Sequence, residues 1–180
     1  EELAEVFESL SQTSSRLKKT VILARFLRKI PVDELDEAAL LLQGRVFAEW
    51  DPQRVGLAAK LVLKAIVRAT GYSESHVQQE FKKSGDLGLT VYELTKHKKQ
   101  QTLFSSPLNL HPVFVTLQKI ASHEGLKSQD AKLGSLAKLL TSATPLEAKF
   151  LVRTVLEDLR VGIAQGTLRD ALALAFYTTT

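Results

Sequence analysis

The 180-residue sequence contains no cysteine. Disulfide scaffolds, zinc–thiolate sites, iron–sulfur clusters and a thiol nucleophile are therefore excluded. No run of about 18 apolar residues occurs, so no membrane span is expected. The chain starts Glu1-Glu2, without the basic-then-apolar pattern of a secretory leader. Methionine is also missing, and a chain without an initiator is expected to be processed, tagged or cut from something longer. No His-Glu-x-x-His, no phosphate loop and no strand-linked Gly-x-Gly-x-x-Gly is found. His76, His97, His111 and His123 are scattered, without metal-ligand spacing. Glu157 and Asp158 stand about 100° apart around a helix and do not form a facing pair. Asp33, Glu34, Asp36 and Glu37 fit the acidic first turn of a helix. Nothing here builds a self-contained active site.

What is present is core-forming material and an uneven charge. Hydrophobic residues make up 44%, enough for a packed interior. Basic residues number 24 against 20 acidic ones, and the whole surplus of +4 falls in residues 91–180. Near the start, Glu1, Glu2, Glu5 and Glu8 precede an all-basic block, Arg16, Lys18, Lys19, Arg25, Arg28 and Lys29. Two solvated helix faces attracting each other would explain these blocks. A basic surface for phosphate is the alternative.

The hydrophobic spacing is helical throughout. Leu3, Val6, Phe7 and Leu10 follow the i, i+3, i+4, i+7 pattern, and Leu17, Val21, Ala24 and Leu27 repeat it until Pro31. A short helix is expected over Asp33–Gln43. A long one is expected from Arg54 to Ala69, apolar on more than one side and therefore central and buried. Ser73 caps a helix with Val77 and Phe81, and another follows Gly88. Residues 98–111 read as a connector that could separate two lobes. Helices then open near Pro112 and Ser128. Thr144-Pro145-Leu146-Glu147 is a capping box with proline at the first position, opening a helix to about Arg160. Thr167 begins the last. With no alternating pattern and no fixed repeat, the expected class is all-α, one compact irregular bundle of about ten helices.

Three segments share one physical design. They are Ser84-Gly85-Asp86-Leu87-Gly88, Gly125-Leu126-Lys127-Ser128-Gln129-Asp130-Ala131-Lys132, and Arg160-Val161-Gly162-Ile163-Ala164-Gln165-Gly166-Thr167. Each puts glycine and mostly basic or hydroxyl residues at a helix start, where free N–H groups favour anions. A glycine between helices is by itself more often a C-cap than a phosphate site, and that is one reading of the three; a backbone phosphate reader, one that positions a duplex without reading its sequence, is the other.

The order and wording of these segments, with Glu147-Ala-Lys-Phe-Leu-Val-Arg153, resemble the N-terminal DNA-binding domain of ATP-dependent DNA ligases of the archaeal and eukaryotic type. The resemblance runs over residues 1–177, leaving 178–180 as a tail. It implies an all-helical domain lying along the minor groove on both sides of a nick, reading groove shape. It also implies adenylation and OB-fold domains elsewhere in the parent. By position, Gly85, Gly88, Ser128, Lys132, Arg160, Gly162 and Ala164 match the family's DNA-binding loops and helix starts; Lys127 and Thr167 at the same helix starts are expected to join them, and Lys98 and Lys99 in the connector to contact phosphate or clamp. One departure is Gly166, where many relatives carry a larger residue, expected to loosen the last helix start.

Gln100-Gln101-Thr102-Leu103-Phe104 resembles the family's sliding-clamp motif, with Gln100 as anchor and Leu103 and Phe104 as the apolar pair. Leu103 stands where relatives often have an aromatic. Pinning of the connector to the core by the same two side chains is the alternative. The family's nucleotidyl lysine lies in Lys-x-Asp-Gly, which does not occur here. The expectation is a non-catalytic segment without cofactor or metal, of a parent that uses ATP and Mg2+ to seal nicks in replication and repair. Its location would be cytoplasmic if archaeal and nuclear if eukaryotic. A helical protein-interaction module and a stand-alone architectural DNA binder are the other readings.

Overall fold

A computed structural model describes residues 1–97, 107–123 and 128–177. Its helices are α1 (Glu2–Ser11), α2 (Arg16–Leu27), α3 (Leu35–Leu42), α4 (Ala59–Thr70) and α5 (Glu74–Ser84). They continue with α6 (Leu87–Lys96), α7 (Leu110–Ser122), α8 (Ser128–Ser142), α9 (Pro145–Val155) and α10 (Gln165–Phe176). A single 3-10 turn at Val32–Glu34 leads into α3. The fold is all-α, with no strand among the described residues.

Local chemistry sets most helix ends. Ser15 and Ser73 accept the N–H groups of Lys18 and His76 and start α2 and α5. The α9 start is the capping box read from sequence: Thr144 takes the Glu147 N–H while Glu147 takes the Thr144 N–H at 2.8 Å. Such a cap contributes about 1 kcal/mol.

Two apolar clusters form the interior. One gathers Val62 and Ile66 of α4, Val91 of α6, Leu117 and Ile120 of α7, and Leu136 and Leu140 of α8. The other joins Phe7 and Leu10 of α1, Leu23 and Leu27 of α2, and Leu168 and Ala171 of α10. α9 serves both: Leu151, Val152 and Val155 enter the first, and Phe150 enters the second, 5.1 Å from the Phe7 ring.

The position of α9 corrects the sequence reading. The central helix is not the stretch 54–69, because residues 54–58 are not helical and α4 keeps an exposed face. Every residue from Glu147 to Val155 is buried instead. Three charged side chains in α9 mask this role in the sequence. Each is answered inside: Lys149 by Glu8 at 2.6 Å, Arg153 by Asp86 at 3.0 Å, Glu147 by the cap. Smaller corrections are that α9 ends at Val155 rather than near Arg160, that α6 starts before Gly88, and that α7 starts at Leu110.

The terminal charge blocks do attract each other. Lys29 reaches Glu2 of α1 at 2.5 Å, but much of the basic block is spent on α10 and its approach. Arg28 donates to the Leu174 and Ala175 carbonyls, and Arg16 pairs with Asp170 at 2.6 Å. Gly166 leaves room for that arm, since a Cβ there would stand 3.4 Å from the Arg16 guanidinium. α10 is nonetheless helical from Gln165.

Candidate functional site

The site is built around Asp86. Gly85 ends α5 with φ +66°, a left-handed turn that favours glycine, and nothing lies within 4 Å of where its Cβ would be. The chain turns at once into α6, whose N-cap is Asp86, accepting the Leu89 N–H at 2.8 Å. The same carboxylate receives Arg153 at 3.0 Å and Arg160 at 2.9 Å. Burial alone would push this carboxyl up, but the Leu89 N–H and the two guanidinium groups hold it below the usual aspartate value.

Arg160 lies on the bend between α9 and α10. The bend starts with a Schellman-type end to α9: Asp158 N–H bonds to the Arg153 carbonyl at 2.9 Å and Glu157 N–H to the Thr154 carbonyl at 3.0 Å. This accounts for the left-handed Glu157 (φ 56°). Arg160 is left-handed too (φ 56°), which is uncommon for a residue with a side chain. Its guanidinium bridges Asp86 and Asp158, the latter at 2.6 Å. Gly162 (φ +59°) follows, and the buried Lys19 ammonium fastens the bend through the carbonyls of Val161 at 2.6 Å and Gly162 at 2.9 Å. A Cβ on Gly162 would stand 2.9 Å from the Lys19 nitrogen. Gly162→Ala is therefore expected to cost about 1–3 kcal/mol, from left-handed strain and displacement of Lys19. Urea denaturation of the two proteins measures this, and equal midpoints would show that the bend yields freely.

The third feature is an open cleft of about 440 Å³ between α4 and α8. It is lined by Lys60 and Lys64 of α4, Ser128, Gln129 and Lys132 of α8, and the approach Gly56–Ala58. Among the described residues lining it there are three cations and no carboxylate. Arg68 extends the stripe one turn further, over Gly134 of α8. Lys60, Lys64 and Arg68 are at i, i+4 and i+8, so they share one face over about 12 Å. A smaller cleft of about 160 Å³ next to it is lined by Ala59, Gly85, Asp86, Arg153 and Arg160 among others. The first residue of α4 thus borders the Asp86 node, and its second borders the cationic cleft.

The expected site residues divide accordingly. Ser128 and Lys132 come together with lysines of α4. Gly85 and Arg160 share the smaller cleft, and exposed Gly162 and Ala164 lead into α10, whose N-cap is Ala164 with no side-chain cap bond. Two further positions are buried. Gly88 is buried in α6, where a Cβ would stand 2.9 Å from Arg153, so its small size makes room for that side chain. Thr167 is 5% exposed inside the first turn of α10, with its N–H already bonded to Ala164, so neither group is offered outward. Lys98, Lys99, Gln100, Leu103, Phe104 and Lys127 lie outside the described residues. Lys60, Lys64 and Arg68 were missed. Their four-residue spacing was the available signal, hidden by the apolar side chains between them. Among the described residues no group of three or more His, Asp or Glu is placed to hold a metal ion, and no helix is long and apolar enough to cross a membrane.

Comparison with known proteins gives one consistent answer. Residues 1–173 match the family described as DNA ligase N terminus. The chain is 43% identical over 175 residues to a DNA ligase of Methanothermobacter thermautotrophicus, covering 97% of this chain and 31% of that protein. It is 43% identical over 179 residues to the DNA ligase of Nanoarchaeum equitans, covering 99% and 31%. Against the DNA ligase of Methanopyrus kandleri it is 45% identical over 175 residues, covering 97% and 31%. The chain thus spans about 31% of the length of the curated relatives it matches.

Proposed function

Because the chain belongs to the DNA ligase N-terminal family, we propose that it is a non-catalytic segment that grips nicked duplex DNA by its phosphates for a nick-sealing parent enzyme. The observation that carries this reading is the α4–α8 cleft, with Lys60, Lys64 and Lys132 aligned and no carboxylate among its described lining residues. A polyanion is the ligand such a surface favours. Over about 12 Å one DNA strand offers three or four phosphates at 3.4 Å axial spacing, which matches the stripe from Lys60 to Arg68. The start of α10, which has no side-chain cap, adds backbone N–H groups suited to the same ligand. None of these groups reads a base edge, so the grip depends on backbone and groove shape.

Within this proposal the segment supplies binding and orientation. Lysines of the cleft neutralise phosphates, and the fixed Asp86–Arg153–Arg160 node holds the bend and the α6 start in register. ATP and Mg2+ would serve the parent's adenylation chemistry, and the described residues of this segment present no metal-holding cluster. Sliding-clamp binding through Gln100, Leu103 and Phe104, and DNA contacts by Lys98, Lys99 and Lys127, belong to the proposal on their sequence alone. So do the adenylation and OB-fold partners, the role in replication and repair, and a cytoplasmic site of action.

The test is a titration of labelled nicked duplex at several salt concentrations. With about five phosphates neutralised, log affinity should fall with log salt at a slope of about −4 to −5. A flat response would overturn the reading.

A further inference from the structure

We propose that Trp50 is a DNA-contacting residue that lays its indole against the minor-groove sugar and base edge of the duplex; this rests on the DNA-binding reading above. Trp50 is the sole tryptophan of the chain and its side chain is 89% exposed. A lone exposed apolar residue on a loose surface would need no explanation. This one is presented on a restrained turn. Asp51 N–H closes the turn on the Ala48 carbonyl at 3.0 Å, and the Asp51 carboxylate accepts the Gln53 N–H at 2.8 Å. The Arg54 guanidinium bonds to the carbonyls of Asp51 and Gln53. The loop therefore arrives pre-ordered, and ordering it on contact costs little.

Its position gives the ring a partner. The segment carrying Trp50 runs beside the chain from the end of α9 to the start of α10. Leu57 N–H bonds to the Val155 carbonyl at 2.7 Å, Gly56 faces the Glu157 carboxylate, and Gly44 faces Leu159. At the far end the Glu49 carboxylate accepts the side-chain amide of Gln165, the first residue of α10. Trp50 thus stands one residue from a contact with the helix start that the DNA-binding reading turns toward phosphate. The neighbouring carboxylates do not veto an approaching strand. Glu49 is bonded to Gln165 and lies 3.5 Å from Arg45, while Asp51 is turned to its own loop beside Arg54. A restrained, nearly neutral tip carrying an aromatic ring next to the start of α10 suits the apolar lining of a minor groove, between the phosphate rows.

Because the tryptophan is unique, its emission reports on this position alone. A nicked duplex labelled at one end is titrated with the 180-residue chain, following label anisotropy, and unlabelled duplex is titrated into the chain, following tryptophan emission. The expected result is a change in emission and reduced acrylamide quenching, both saturating with the anisotropy-derived affinity. Trp50→Ala, at an exposed position where folding is not at stake, should weaken binding about 3- to 10-fold, the effect of withdrawing about half of a large apolar side chain from water, and Trp50→Phe should restore much of it. Anisotropy binding with unchanged emission, or with full affinity in Trp50→Ala, would overturn the inference and leave the DNA-binding reading intact. Emission that shifts with protein concentration without DNA would assign the ring to a second copy and overturn it as well. No anisotropy change at any protein concentration would overturn the DNA-binding reading itself.

Discussion

Asp86→Asn should lower the unfolding free energy by about 3–5 kcal/mol, because it leaves Arg153 buried without its counter-charge. The two side chains of that pair are only 5% and 10% exposed. Asparagine is nearly isosteric and still caps a helix well, so loss of the α6 cap contributes little. The charge is what changes. Arg160 loses one of two carboxylates and keeps Asp158, so the bend is loosened at the same time. The pH dependence gives the signature. Folding lowers the Asp86 pKa, so its stabilising contribution is complete above the unfolded value of about 3.9 and is lost as pH falls through the lower folded value. Urea denaturation of both proteins between neutral and acid pH should show a gap that is full at pH 7 and narrows only below about pH 4. A gap that stays constant with pH, or none at all, would contradict the role assigned to this carboxylate.

The same residues show what the sequence could and could not reveal. The helices were legible because apolar spacing and local caps are short-range signals: Ser73, Thr144 with Glu147, and Gly85 each act within a few positions. The burial of α9 was not legible. Lys149 and Arg153 make it look amphipathic, and the groups that neutralise them, Glu8 and Asp86, lie far away in sequence. For the same reason Arg160 read as a free phosphate anchor, whereas folding pairs it twice. The packing of Arg153 against Gly88 was not legible either, because the two meet only in the folded chain. The cleft itself needs α4 and α8 side by side, so Ser128 and Lys132 were legible at a helix start while their partners Lys60 and Lys64 were not. Tertiary pairing, not local propensity, decides which of the many cations remain available.

Replacing Lys60 and Lys64 together by glutamate should be the most damaging change for DNA binding. Two unit charges about 4 Å apart interact by about 1 kcal/mol in water, so reversing one lysine against a bound phosphate shifts binding by about 2 kcal/mol, or roughly 30-fold. Two reversals on one helix face should then weaken binding by several hundred-fold at low salt, somewhat less if the phosphates re-seat. The salt slope should fall by about 2, because two fewer counterions are displaced. The loss should be equal for duplexes of different sequence, as backbone contacts require. Stability should change little, since both lysines are at the open face of α4 and have no ion-pair partner among the described residues. Arg160→Ala makes the informative contrast. Its guanidinium is already shared by Asp86 and Asp158, so its removal should weaken binding less and stability more. Anisotropy titrations at three salt concentrations, with urea denaturation of each variant, separate the two outcomes. If the Lys60/Lys64 reversal binds as tightly as the parent chain while Arg160→Ala does not, the grip lies at the bend and not along α4.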